Sequence, residues 1–159
     1  MLRQVRKGDE PTLLRIFSDP TVSRWWGDPK KSVEDTMAAE EGDEHYLIEV
    51  DGEAIGMIQS YEESDDMYRH AGIDISIREP WQGKGLGPEA IKVLARYLID
   101  ERGHHRLVID PAALNVNAIK AYERVGFKPV GVMRRYERGL DGEWHDGLLM
   151  DLLAEELTD

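Results

Sequence analysis

Between residues 71 and 101 the spacing of apolar side chains changes character. Ile73, Ile75 and Ile77 alternate with Asp74 and Ser76, the period-two pattern of a strand with one apolar face. From Pro88 to about Glu101, Ala90, Ile91, Leu94, Ala95 and Leu98 recur at helical spacing and mark a buried stripe. Between the two lies Gln82-Gly83-Lys84-Gly85-Leu86-Gly87, which follows neither period.

Similar patterns organise the rest of the chain. Residues 1–7 suit a first strand. Asp9-Glu10-Pro11 signals a helix with Leu13, Leu14 and Phe17 on one face, and Asp19-Pro20 breaks it. Thr21 to Trp26 suit a short helical segment, ended by Gly27-Asp28-Pro29. A further helix is expected from Ser32, with Glu34 and Asp35 in its first turn, stopping before Gly42. Asp51-Gly52 joins strands 45–50 and 54–61 in a hairpin, and Asp141-Gly142 joins 130–138 and 143–153. Residues 106–110 form a short strand stopped by Pro111. Asn115 to Val125 form a helix with Gly126 as its stop. Hairpins, then strand–helix–strand–helix, then a last hairpin describe a mixed α/β sheet.

Composition narrows the class. A chain of 159 residues, 41% apolar and 33% charged, suits one globular domain spanning 1–159. No run approaches the roughly 20 apolar residues of a membrane helix. The first residues lack the apolar block of a signal peptide, so the cytoplasm is the expected compartment. With no cysteine, disulfides, thiolate metal sites and cysteine nucleophiles are excluded. The five histidines have no metal-ligand spacing, so no metal is expected. A net charge of -12 disfavours nucleic acid and anionic membranes and favours polycations where it lines a cleft.

The glycine loop is the main candidate for chemistry. Its glycines let the backbone approach a ligand closely, and the following helix adds the positive end of its dipole, a combination suited to phosphate. It is not a Walker loop, because Lys84 is followed by Gly85 and not by Ser or Thr. Nor does its position after about the fourth strand suit a dinucleotide fold. Downstream, Asn115, Ala118, Tyr122 and Gly126-Phe127 form a second pattern, with Ala118 and Tyr122 on one helix face.

Together the two segments resemble the Gcn5-related N-acetyltransferase superfamily. Its pyrophosphate loop, Gln/Arg-x-x-Gly-x-Gly/Ala, is matched by Gln82, Gly85 and Gly87, and its later helix by Asn115, Tyr122, Gly126 and Phe127. The resemblance implies a mostly antiparallel twisted sheet of six to seven strands with about four helices. It also implies a bulged fourth strand that splays from the fifth. Acetyl-CoA is the implied donor and a primary amine the acceptor. Amides of Gln82, Gly83, Lys84, Gly85, Leu86 and Gly87 would cradle the pyrophosphate. The backbone of Ile75, Ser76 and Ile77 would meet the pantetheine arm, and one N–H there would polarise the thioester. Asn115 and Asn117 would contact the cofactor. Tyr122 would lie near the sulfur and protonate the leaving thiolate.

A closer resemblance, to aminoglycoside 6′-N-acetyltransferases, rests on Arg24-Trp25-Trp26-Gly27, Gly72-Ile73-Asp74, Ile109-Asp110-Pro111 and Asn117-Ala118-Ile119. It implies Asp74 beside the reacting amine, Asp110 on the other ammonium groups, and Trp25 and Trp26 as walls. Alternation alone leaves open whether Asp74 faces a cleft or solvent, and Asp110 also suits a turn cap. One tryptophan is expected in the core. Glu62, Glu63, Asp65 and Asp66 suit a solvated loop or an acidic rim. Arg134-Arg135-Tyr136-Glu137-Arg138 departs from the pattern by its basic character. The expected activity is direct acetyl transfer in a ternary complex to the 6′-amine of an aminoglycoside. A polyamine, a protein N-terminus or a siderophore amine is the alternative acceptor, and a non-catalytic acyl-CoA-binding module is the alternative class. The expected partner is a small cationic amine, and a homodimer is compatible with the chain.

Overall fold

The computed structural model describes residues 1–158. Seven strands form one sheet in the order β1-β2-β3-β4-β5-β7-β6. They are β1 (Leu2–Gln4), β2 (Glu44–Val50), β3 (Glu53–Glu63), β4 (His70–Ile77), β5 (Arg106–Ile109), β6 (Lys128–Arg138) and β7 (Trp144–Leu153). The helices are α1 (Glu10–Phe17), α2 (Pro20–Trp26), α3 (Pro29–Met37), α4 (Leu86–Asp100) and α5 (Val116–Val125). Every neighbouring pair is antiparallel except β4 and β5.

Alternation along the central strands builds a core on each face. Ile48, Ile58 and Ile73 pack with Ile91, Leu94, Leu98 and Val125 from α4 and α5. Their strand neighbours Leu47 and Met57 face the other way, onto Leu13, Ile16 and Phe17 of α1. The apolar stripe expected on the 88–101 helix is the one buried.

Several boundaries moved for local reasons. Pro20 and Pro29, expected as breakers, each sit at the start of a helix, where a missing N–H and a fixed φ cost nothing. The third helix therefore begins before Ser32 and ends at Met37, well short of Gly42. Helix α4 starts at Leu86, because Gly85 at φ 79° turns the chain into it and Pro88 is tolerated in its first turn.

The expected splay is present, and it positions everything that follows. β4 and β5 pair only at Ala71↔Leu107 and Gly72↔Val108. Beyond Ile109 the chain continues along β7: Leu148 N–H donates to Pro111 O at 2.8 Å and Ala113 N–H to Asp146 O at 2.9 Å. Among the described residues, the β4 edge from Ile73 to Ile77 is thereby left without a strand partner on that side. The bulge expected in β4 is not there; β3 and β4 run in unbroken register from Glu63↔His70 to Gly56↔Ile77. The parting of strands opens the sheet without one.

Gly56 holds that register close. A Cβ built on it would lie 2.2 Å from the carbonyl oxygen of Ser76, a backbone atom that cannot swing away. Gly56→Ala should therefore destabilise the fold by about 2–3 kcal/mol, read as a lower urea midpoint. An unchanged midpoint would mean that the two strands can separate freely.

Candidate active site

Two cavities meet in the opening between β4 and β5. The larger, about 810 Å³, runs from the glycine loop past the end of β4 to α2 and α5. The smaller, about 230 Å³, lies beyond Asp74 and Asp110. Trp25, Trp26, Ile75, Asn115 and Tyr122 line both.

The loop has the backbone of an anion cradle. Gly83 and Gly85 adopt φ 73° and 79°, a left-handed conformation that other residues take only with strain. Leu86 and Gly87 open α4, so their N–H groups have no intrahelical acceptor and carry the positive end of the dipole. Gln82 has a different part from the one expected. Its N–H bonds Glu79 O at 3.1 Å, and its Nε2 donates to Ile77 O at 2.8 Å and to Thr21 Oγ1 at 2.9 Å. It braces the loop, and the free amides begin after it. Lys84 lies over the Trp81 ring, 5.6 Å from its centroid, and Leu86 packs into the core, so their side chains are not in the cleft wall.

Across the cleft, Asn115 caps α5 by accepting from Ala118 N–H at 3.3 Å, which leaves its amide NH2 available. Asn117, Lys120 and Arg124 follow along the cleft face of α5, and Arg24 contributes from α2. These three cations surround a cleft in a strongly acidic chain and suit an anionic ligand. Lys120 and Arg124 had no signal in the sequence, because single charges on helices are ordinary, and Arg24 stood there only within Arg24-Trp25-Trp26-Gly27, with no role of its own. Arg24 also covers the Trp25 ring at 4.6 Å. Both tryptophans line the two cavities, and Trp26 also packs on Phe17 with ring centroids 5.4 Å apart.

The smaller cavity gathers three carboxylates. Asp74, on the face away from the isoleucines, accepts from its cross-strand neighbour Gln59 at 3.1 Å. Burial, with the carboxylates of Asp110 and Glu137 nearby, pushes its pKa up to about 6 even though the Gln59 bond opposes the shift. Asp110 is raised by burial and steadied by the Tyr136 hydroxyl, which donates to it at 2.8 Å. Glu137 is raised by burial and by Asp110. Tyr122, buried and facing Asp74 and Asp110, is held well above the ordinary phenol range and stays protonated.

Glu137 and Tyr136 were not singled out from the sequence, where they sit inside a basic run. The structure shows what re-aims them. β6 loses register between Met133 and Glu137, and Arg135 takes φ 49° while its N–H donates to Asp146 Oδ1 at 2.8 Å. Tyr136 then lies against Gly147, where a Cβ would come within 3.0 Å of its ring. The basic side chains of Arg134 and Arg135 are exposed. The acidic run at 62–66 also divides: Glu62 pairs with Arg102 and His104, away from both cavities.

Such an arrangement can hold a phosphorylated ligand in one compartment and a cation in the other, with a carboxylate and a phenol where they meet. The chain is similar to known acetyltransferases. The family model described as "Acetyltransferase (GNAT) domain" matches residues 1–128. Aminoglycoside N(6′)-acetyltransferase type 1 of Klebsiella pneumoniae is 28% identical over 153 residues, covering 83% of this chain and 75% of that protein. The spermidine N-acetyltransferase of Vibrio cholerae, solved with CoA and spermine, superposes with TM-score 0.82 at 20% identity, over 98% of this chain and 96% of that one. The structure of AAC(6′)-Ib with paromomycin and acetyl-CoA gives TM-score 0.79 at 24% identity, over 98% and 94%.

A raised carboxylate pKa means that the fold favours neutral Asp74, so stability falls as pH rises from the ordinary carboxylate range to about 6, and the loss is complete above that. Asp74→Asn should raise Tm by about 2–4 °C at pH 8 and leave it nearly unchanged at pH 4. Equal effects at both pH values would refute the buried charge.

Proposed function

The chain belongs to the GNAT acetyltransferase family, and from that premise we propose that it acetylates a primary amine of a small polycation, with acetyl-CoA as donor. The observation that carries this reading is that Asp74, in the smaller cavity, stands near Tyr122, which lines both cavities.

Each compartment suits one substrate. Amides of Gly83 to Gly87 at the head of α4 bind the pyrophosphate, with Arg24, Lys120 and Arg124 as the cations around it. The open edge of β4 at Ile75 to Ile77 receives the pantetheine arm, and an N–H there polarises the thioester carbonyl. Asn115 and Asn117 position the same arm from α5. The acceptor enters against Trp25, with Asp110 and Glu137 attracting its further ammonium groups.

Chemistry follows by proton accounting. Asp74, ionised above about pH 6, takes a proton from the acceptor ammonium, directly or through water. The amine nitrogen attacks the thioester carbon, the C–N bond forms and the C–S bond breaks. Tyr122 delivers a proton to the departing thiolate and is reprotonated by the second proton that the nitrogen sheds as the amide forms. No cysteine exists to carry an acyl group between the substrates, so transfer is direct.

Three carboxylates around a 230 Å³ cavity suit one amino-sugar ring with neighbouring ammonium groups, which favours an aminoglycoside 6′-amine. Acetylation of a spermidine-type polyamine is the second reading, supported by likeness to the spermidine acetyltransferase along nearly the whole chain.

CoA release measured with kanamycin, tobramycin, spermidine and a simple monoamine tests both. Turnover of the aminoglycosides supports the first reading; turnover of spermidine alone moves the assignment to the second; no turnover on any amine refutes both. With the accepted substrate, kcat/KM should rise through about pH 6, and Asp74→Asn should lower it about 100-fold or more while acetyl-CoA still binds. Glu137→Gln should raise KM for the polycation about tenfold and leave that of the monoamine unchanged.

A further inference from the structure

Three buried side-chain polar atoms have no hydrogen-bond partner among the described residues: the hydroxyls of Ser60 and Ser76, and Nδ1 of His104. A buried hydroxyl left without a partner is costly, so each calls for a physical reason. His104 already spends its other ring nitrogen on Glu62 at 3.0 Å, outside both cavities. Ser60 sits opposite Ile73 on the α4 face of the sheet and lines neither cavity.

Ser76 differs from both. It is 6% exposed, yet it lines the larger cavity. Strand alternation puts it on the face of Asp74, two residues further toward the glycine loop, a distance of about 7 Å along β4. The order along the strand is informative. Asp74 lines the acceptor cavity alone, Ile75 lines both, and Ser76 and Ile77 line the donor cleft alone. Ser76 thus stands between the point of reaction and the phosphate cradle, beside the stretch that a pantetheine arm must cross.

We infer that the Ser76 hydroxyl, closed off in the ligand-free protein, rotates about its Cα–Cβ bond to become a binding contact for the acyl donor, by a hydrogen bond to the pantetheine amide nearest the sulfur. The inference rests on the donor assignment above and adds a side-chain role to a strand expected to act through its backbone. The bond fixes how far the thioester reaches along β4, and so sets its height against Asp74 and Tyr122. Ser76 is a positioning residue in this sense.

Ser76→Ala and Ser60→Ala separate this role from mere burial. CoA affinity, measured by calorimetry, should fall about tenfold in Ser76→Ala and stay unchanged in Ser60→Ala. Adenosine 3′,5′-bisphosphate, which lacks the pantetheine arm, should bind Ser76→Ala as it binds the parent protein. The unfolding midpoint of ligand-free Ser76→Ala should not drop, because the substitution removes an unpaired group. Unchanged CoA affinity in Ser76→Ala would overturn the inference, as would an equal loss for both ligands or a loss matched by Ser60→Ala. Absence of CoA binding in the parent protein would instead overturn the donor assignment itself, and this inference with it.

Discussion

The parting of β4 from β5 is the constraint on which the site depends. Two strands that pair at only two positions leave a row of backbone groups on β4 without a neighbour. Such an edge is ordinarily a liability, since unpaired N–H and C=O groups invite another chain. Here it faces a cavity and not open solvent. It divides the sheet into two halves, with β1 to β4 on one side and β5, β7 and β6 on the other. The glycine loop leaves from one half and α5 starts from the other. Everything proposed about chemistry happens in the gap between them.

Much of this was legible in the residues because local chemistry and tertiary outcome agree. Alternation at 71–77, the stripe from Ala90 to Leu98 and the Asp51-Gly52 turn each specify one backbone state, and the fold keeps all three. The glycine loop was legible for a stronger reason: Gly83 and Gly85 occupy positive φ, so composition and conformation report the same requirement. Gly87 makes no such demand, since it sits within the first turn of α4.

What escaped the sequence has identifiable causes. Proline before a short helix looks the same as proline ending one, and Pro20 and Pro29 fell on the wrong side of that ambiguity. Gln82 fits a binding motif, while its hydrogen bonds to Ile77 and Thr21 exist only in three dimensions. Tyr136 and Glu137 are the clearest case. A slip in β6 register turns them toward Asp110, and no local pattern announces a slip whose cause lies across the hairpin at Asp146 and Gly147. The acidic character of the acceptor cavity therefore comes partly from a segment whose composition is basic.

The ties between α2 and the loop carry a mechanical consequence. Asp19 accepts from Thr21 N–H at 2.9 Å at the head of α2 and from Glu79 N–H at 2.8 Å, sixty residues away. Gln82 reaches back to Thr21. The helix that carries Trp25 and the turn that leads into the phosphate cradle are thus bolted into one body. The wall beside the acceptor and the approach to the glycine loop therefore cannot shift independently, and a displacement at one end is felt at the other.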